Sequence, residues 1–342
     1  MTPNTVLQVI AIAGPTASGK SGLAVSLAQA LGGEVLSGDS MQIYRGMDIG
    51  TAKLTEKERM GVLHHLLDLC DPDEAFSVAA YQGLARSVID DLLRQGKTPV
   101  LAGGSGLYMD SVLYPYEYKA ESMDAISRGA EPIPDPSQLW WKKLKEIDPV
   151  SAERLHPNDT KRIIRALQYA EAHGSSISLN TAARESPAPV YPLLWIGLNL
   201  PRQSLYRRID ERVDKMMEAG LLREVLHLRD RGLSLDTQAG QAIGYKQLLQ
   251  SLEGGFSLEA AVELIKRESR RYAKRQLTWF RRNRSIAWVD GEKLSEADNQ
   301  NKLIHILKDM VENGSTGAKQ TSLADRIHAC GLSYQESREE GL

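Results

Sequence analysis

The run Gly14-Pro15-Thr16-Ala17-Ser18-Gly19-Lys20-Ser21 stands between a strand-like segment and a helix-like one. It fits the phosphate-loop pattern of glycine, four residues, then Gly-Lys-Ser. Upstream, Val6–Ala13 is apolar and β-rich, broken only by Gln8. Downstream, Leu23, Leu27 and Leu31 recur at helical spacing, and Gly32-Gly33 supplies a stop. Gly14 and Gly19 let the backbone curl so that successive N–H groups face an anion, and the helix start adds its positive end. Lys20 neutralises a terminal phosphate, and the Ser21 hydroxyl is placed to ligate Mg²⁺. The segment implies a phosphorylated ligand rather than a bare glycine turn.

Strand and helix patterns then alternate through residues 5–112. Val6–Ala13, Glu34–Ser37 and Pro99–Ala102 read as strands, with helices after Lys20, around Val78–Gln95 and after Ser105. Such alternation predicts an α/β fold: a phosphate-loop, kinase-like parallel sheet with helices on both faces. Residues 113–188 change character, with Pro132, Pro134 and Pro136 clustered and helices expected over Ser137–Ile147 and about Asp159–Ala172. No strand alternates with them, which predicts a helical insertion domain. Leu193–Leu198 returns to the sheet, followed by helices over Arg202–Arg231, around Ala242–Leu252 and from Leu258. The catalytic core is thus expected at 1–112 and 189–312, and the polar stretch 313–342 as a mobile tail.

At 342 residues, with 42% hydrophobic and 25% charged, the composition is that of a globular protein with one elaborated domain or two. Val6–Ala13 resembles a short signal core but lacks a basic flank, and no apolar stretch is long enough to cross a bilayer. Cys70 and Cys330 have no metal-ligand spacing, which suits a reducing cytoplasm. The net charge of −2 hides an asymmetry: nine Lys/Arg lie between Lys266 and Arg284 against one acid, Glu268. A basic stretch in a near-neutral protein points to a polyanionic partner.

The second and third strands end in Ser37-Gly38-Asp39-Ser40 and Gly103-Gly104-Ser105. Ligands of open parallel sheets sit at the carboxyl ends of strands, so Asp39 reaches the rim that carries the phosphate loop. There it could act as general base, hold Mg²⁺ or cap a helix. Ser105 offers a hydroxyl to a leaving-group oxygen, or another cap. No apolar strand ends in the acid with which nucleotide-hydrolysing motors hold Mg²⁺ and position water.

Together with Tyr44–Lys53, His64–Asp68, His156–Asp159, Arg162–Leu167, Gln241–Lys246 and Ala273–Arg281, these segments resemble the tRNA dimethylallyltransferase (tRNA isopentenyltransferase) family up to about Val289. The resemblance implies transfer of a dimethylallyl group from dimethylallyl diphosphate to the exocyclic amine of the adenosine 3′ of certain anticodons, with Mg²⁺. By similarity, residues 14–21 and Arg212 take the diphosphate, Arg208 being a weaker candidate. Lys20, Ser105 and Asp39 would be catalytic, Ser105 at the bridging oxygen and Asp39 as the base. The tRNA contacts would be Asp39, Ser40, Met41, Gln42, Ser105, Lys161, Arg162, Ile163, Ile164, Arg165 and Gln241, with Arg270, Arg271 and Lys274 receiving the backbone. The anticodon stem-loop is the expected partner of a cytoplasmic monomer; no zinc is expected. His64 and His65 read as structural. Gly38 stands where a larger residue is usual, Ser105 replaces a commoner Thr, and Gln241 stands where some members carry Arg. A phosphate-loop small-molecule kinase, a nucleotide-gated RNA-binding module and an isopentenyltransferase acting on free adenine nucleotides are the competing readings.

Overall fold

Strand β1 (Val9–Ala13) is buried on both faces, which is what a run of Val, Ile and Ala without alternation requires. In the computed structural model, which describes residues 8–116, 118, 136–173, 188–312 and 322–334, it lies near the middle of a six-stranded sheet. The other strands are β2 (Glu34–Ser37), β3 (His64–His65), β4 (Pro99–Gly103), β5 (Leu193–Asn199) and β6 (Ala287–Asp290). Their spatial order is β3-β2-β4-β1-β5-β6 and every pairing is parallel. The register aligns Ala13 with Gly103 and Gly197, so the chain leaves β1, β4 and β5 on one edge.

Helices α1 (Lys20–Leu31), α2 (Glu56–Arg59), α3 (Val78–Arg94) and α4 (Gly106–Leu113) belong to the first half of the sheet. In the second unit, α5 (Pro136–Ile147), α6 (Pro149–Arg154) and α7 (Thr160–His173) follow. After β5 come α8 (Arg202–Glu218), α9 (Leu221–Arg229), α10 (Tyr245–Leu252), α11 (Leu258–Phe280), α12 (Ala297–Glu312) and α13 (Leu323–Ala329). Ile10 and Ile12 face a core shared with α1, α12 and α13, while Val9 and Ala11 face Tyr81, Ile89 and Phe280. Both sheet faces are therefore covered. A third cluster joins Ile43, Tyr44 and Met47 to α9 and α10.

The chain divides into two compact units, residues 1–116 with 189–342 and residues 117–188. The smaller one packs Leu144, Ala152, Ile163, Ala166 and Leu167 together, and the Trp141 indole donates to the Ala152 and Leu155 carbonyls.

Two expectations need correction. The helix read over Arg202–Arg231 is two helices, because Gly220 adopts φ 100° and starts α9. A left-handed residue ends one helix cheaply only where no Cβ is present. The apolar spacing runs straight through this break. Residues 322–334, assigned to a mobile tail, instead form α13 and a bridge from Ser333 to Val289 on β6. Ile327 and Leu332 are buried in the sheet core, which holds the segment in place. Residues 313–321 and 335–342, like Pro132 and Pro134, lie outside the described residues. Among the described residues no helix is long and apolar enough to cross a membrane.

Candidate active site

The phosphate loop closes over the carboxyl end of β1, with Gly19 at φ 90° opening α1. Beside it a cavity of about 360 Å³ is lined by Thr16, Lys20, Ser21, Asp39, Ser40, Met41, Gln42, Arg212 and Gln241 among others. Sequence reasoning named all nine, and the fold brings them together. Gly14, Pro15, Ala17, Ser18 and Gly19 form the loop behind this wall. The Ser18 hydroxyl is buried and has no hydrogen-bond partner among the described residues.

Four charged side chains line the cavity: Lys20, Arg212, Arg275 and Asp39. Burial pushes the Lys20 ammonium down to about 8; Arg212 adds to the effect and Asp39 opposes it. Burial likewise lowers Arg212 below the ordinary guanidinium value, with Asp39 again opposing. Two poorly hydrated cations facing one carboxylate leave a net positive cavity, which an anion would relieve. Asp39 Oδ1 accepts the Met41 N–H at 2.9 Å, a local turn that fixes the carboxylate at the rim. It caps no helix.

Ser105 precedes α4 but its side chain makes no cap bond. Ser105 is not among the residues that line the cavity; its hydroxyl lies behind Ser40, accepting the Ser40 N–H at 3.0 Å and lying 3.2 Å from the Ser40 hydroxyl. Gln276 on α11 ties the two glycine loops together. Its carboxamide oxygen accepts the Thr16 N–H at 2.9 Å, and its Nε2 donates to the Gly104 carbonyl at 3.0 Å. A Cβ on Gly104 would lie 2.2 Å from that Nε2, so a side chain there would displace the Gln276 amide from its two bonds. Gly38 is likewise tight, since a Cβ there would meet Met109 at 3.0 Å. The room a larger residue would need is taken by Met109.

Several wall residues escaped sequence reasoning. Tyr272, one turn before Gln276 on α11, lines the cavity beside Arg275, whose guanidinium lies 5.6 Å from its ring centre. The i, i+4 spacing of Tyr272 and Gln276 puts both on one face of α11. Ile209, Val213, Met216, Leu221, Ile243 and Ile265 supply an aliphatic wall. Glu224 accepts the backbone N–H groups of Asp48, Ile49 and Gly50, steadying the loop that carries Thr51 to the cavity. Lys53 is buried against the Tyr44 carbonyl, Asp48 at 2.7 Å and Asp68 at 2.6 Å.

Other expected residues are placed elsewhere. Arg208 is absent from the cavity wall, because the stripe of α8 that faces it runs Ile209, Arg212, Val213, Met216. Arg270 is engaged with Asp210 on α8 rather than presented to a ligand, and Arg271 pairs with Glu268 at 2.8 Å. Lys274 is exposed. In the smaller unit Ile163 is core, not contact surface, whereas Arg162 and Arg165 are exposed and Ile164 is half-buried. The Lys161 side chain lies outside the described residues. His65 pairs with Glu34 at 2.6 Å, and Glu34 also takes Lys97 at 2.6 Å. Burial alone would raise the Glu34 carboxyl; those two partners bring it below its ordinary value.

Among the described residues no cluster of His, Cys, Asp and Glu could hold a metal by itself. A Mg²⁺ sharing phosphate oxygens needs fewer protein ligands. Ser21 and Asp39 line the same cavity as Lys20, which fits such an ion.

Comparison with known proteins agrees with this architecture. The chain matches the IPP transferase family over residues 42–283. It is 46% identical over 290 residues to the tRNA dimethylallyltransferase of Bacillus subtilis, covering 84% of this chain and 92% of that one. It is 49% identical over 292 residues to that of Bacillus licheniformis, covering 82% and 90%. A solved tRNA isopentenylpyrophosphate transferase from Bacillus halodurans superposes with a TM-score of 0.66 at 42% identity, over 89% of this chain and 97% of that one. A eukaryotic dimethylallyltransferase solved acting on tRNA gives 0.78 at 29% identity, over 92% and 82%. Matches of this length, in sequence and in fold, establish that the chain belongs to the IPP transferase family.

Proposed function

We propose that the protein transfers a dimethylallyl group from dimethylallyl diphosphate to the N6 amine of the adenosine 3′ of the anticodon in tRNA. The observation that carries this reading is the cavity itself, in which Lys20 and Arg212, both desolvated, face Asp39 beside an aliphatic wall. Cations suit a diphosphate, the aliphatic wall a hydrocarbon, and the carboxylate an amine that must shed a proton.

In the proposed reaction the bond between the allylic carbon and the diphosphate oxygen breaks, and the electron pair leaves with pyrophosphate. The backbone of residues 14–19, Lys20 and Arg212 stabilise that departing charge. The Ser21 hydroxyl would hold a Mg²⁺, which would supply further neutralisation of the leaving charge. Ser105 donates to the bridging oxygen from its place beside Ser40. The N6 lone pair forms the new carbon–nitrogen bond, and the proton N6 sheds passes to the Asp39 carboxylate as general base. To reach Asp39 the adenosine must leave its stack. Ser40, Met41, Gln42 and Gln241, which line the cavity, are the proposed contacts of the base, and Lys161–Arg165 and the outer face of α11, with Arg271 and Lys274, are the proposed RNA contacts. The protein is proposed to act in the cytoplasm as a monomer.

Labelled dimethylallyl diphosphate, supplied with unmodified tRNA or with AMP, tests the reading. Label is expected in tRNA. Label in AMP alone would move the protein to free nucleotides, and no transfer to either would overturn the proposal. Asp39→Ala should lower turnover at least about a hundredfold while tRNA affinity holds.

A further inference from the structure

The proposed reaction, taken here as given, asks for a firmly built hydrocarbon end of the cavity as well as an anion cradle. Val213, Leu221 and Tyr245 line the cavity and belong to one buried apolar cluster. Tyr245 is fully buried, and a Cβ on Gly50 would sit 2.5 Å from its ring. A buried phenol must find a partner for its hydroxyl. That partner is Glu224, one turn after Leu221 on α9. Glu224 Oε1 accepts the Tyr245 O–H and, at 3.1 Å, the Gly50 N–H. Its Oε2 accepts the N–H groups of Asp48 at 3.1 Å and Ile49 at 2.7 Å. A carboxylate offers about four lone-pair sites, and these four donors use them all. Successive amides converging in this way form an anion nest, which the chain fills with its own carboxylate.

We propose that Glu224 is a positioning residue for allyl transfer: by tying Tyr245 to the backbone of residues 48–50 it fixes the apolar end of the cavity, against which the dimethylallyl group lies. Its bonds hold two wall segments at once, the turn that carries Gly50, Thr51 and Ala52 into the cavity and the start of α10. Each is charge-assisted, and so stronger than a bond between neutral groups. Burial first, then the charge and hydrogen bond of Glu224, hold the Tyr245 phenol well above its ordinary value, so the phenol keeps its proton and donates it. None of the four bonds goes to the phosphate loop or to Arg212, which receive the diphosphate. Loosening Glu224 therefore disturbs the hydrocarbon end and spares the anion end.

The test is steady-state kinetics on the full-length protein with saturating tRNA. Glu224→Gln keeps the shape but puts an amide where one oxygen accepted two donors. It should raise KM for dimethylallyl diphosphate about tenfold, the equivalent of one charge-assisted hydrogen bond. The inhibition constant of pyrophosphate, which has no hydrocarbon, should stay unchanged, as should tRNA affinity. Tyr245→Phe keeps the ring and loses one donor, so the same split should appear at about threefold. That variant decides the matter where Glu224→Gln does not fold. The double variant should lose less than the product of the two single effects. A parallel rise in the pyrophosphate constant would overturn the positioning role, because Glu224 would then hold the whole site together. So would a fall in Tm with KM unchanged, no effect at all, or single effects that simply multiply. A wild-type protein that transfers no allyl group to tRNA would instead overturn the proposed function, and this proposal with it.

Discussion

Gln276 and Thr16, 260 positions apart, meet through a 2.9 Å hydrogen bond from the Thr16 N–H to the Gln276 carboxamide. Because the other end of that carboxamide binds the Gly104 carbonyl, α11 sets the spacing between the anion cradle and the Ser105 loop. Removing it strands a backbone donor and a backbone acceptor in a partly closed site.

Gln276→Ala is expected to raise KM for the diphosphate and to cost about 1–3 kcal/mol of stability. Steady-state kinetics and urea unfolding check the two halves. Gln276→Glu keeps the acceptor for Thr16 but loses the donor for Gly104, so it should recover part of the affinity.

Lys20 gives a pH dependence of definite sign. Its folded value of about 8 lies below the ordinary 10.5, so between those limits the unfolded chain holds more protons. The ligand-free protein therefore gains stability from this group as pH rises through that window. Below pH 8 the desolvated ammonium is a liability that a methionine lacks. The stability difference, wild type minus Lys20→Met, should become more favourable to wild type between pH 8 and 10.5. Unfolding measured at matched pH checks this; a constant difference would mean that Lys20 is not desolvated.

The parts of this fold legible in sequence are those written in consecutive residues. Phosphate loop, flanking strand and first helix are covalent neighbours, and each constrains the next. The two-residue strand His64–His65 shows no alternation, and the four residues of Ala287–Asp290 follow a basic run that masks them. The break at Gly220 lies inside an unbroken helical period, and only the left-handed φ reveals it. In the site, Asp39 and Lys20 could be named because strand ends converge by rule. Lys53 could not, because its role depends on Tyr44, Asp48 and Asp68 folding around it. Nor could Glu224, whose backbone partners lie at positions 48–50. Ile327 is a different case. Ser322 and Asp325 form a capping box, and Leu323 and Ile327 stand one turn apart, so the signal was present in a polar setting.

That last segment predicts its own test. Ile327 is 1% exposed and packs with Leu332 and the α12 core beneath the β5–β6 end of the sheet. Ile327→Ala should destabilise by about 2–4 kcal/mol while leaving tRNA affinity and turnover per folded molecule intact. Calorimetry and titration together check it; a neutral effect on Tm would return residues 322–334 to a dispensable tail.

The basic stretch of α11 separates into two kinds of charge. Arg270 is held by Asp210 and so joins α11 to α8, on the helix that also carries Arg212. Lys274 is exposed and has no ion-pair partner among the described residues. Only a cation that reaches a phosphate releases a counterion, so only that kind changes the salt dependence of RNA binding. Lys274→Ala should therefore weaken tRNA binding and flatten the slope of log K against log salt by about 1, with Tm unchanged. Arg270→Ala should lower Tm and leave the slope alone, because breaking a partly buried pair exposes Asp210 rather than a phosphate. Filter binding across a salt series, run beside thermal unfolding, separates the two. The reverse pattern would make Lys274 the structural charge and Arg270 the one that meets RNA.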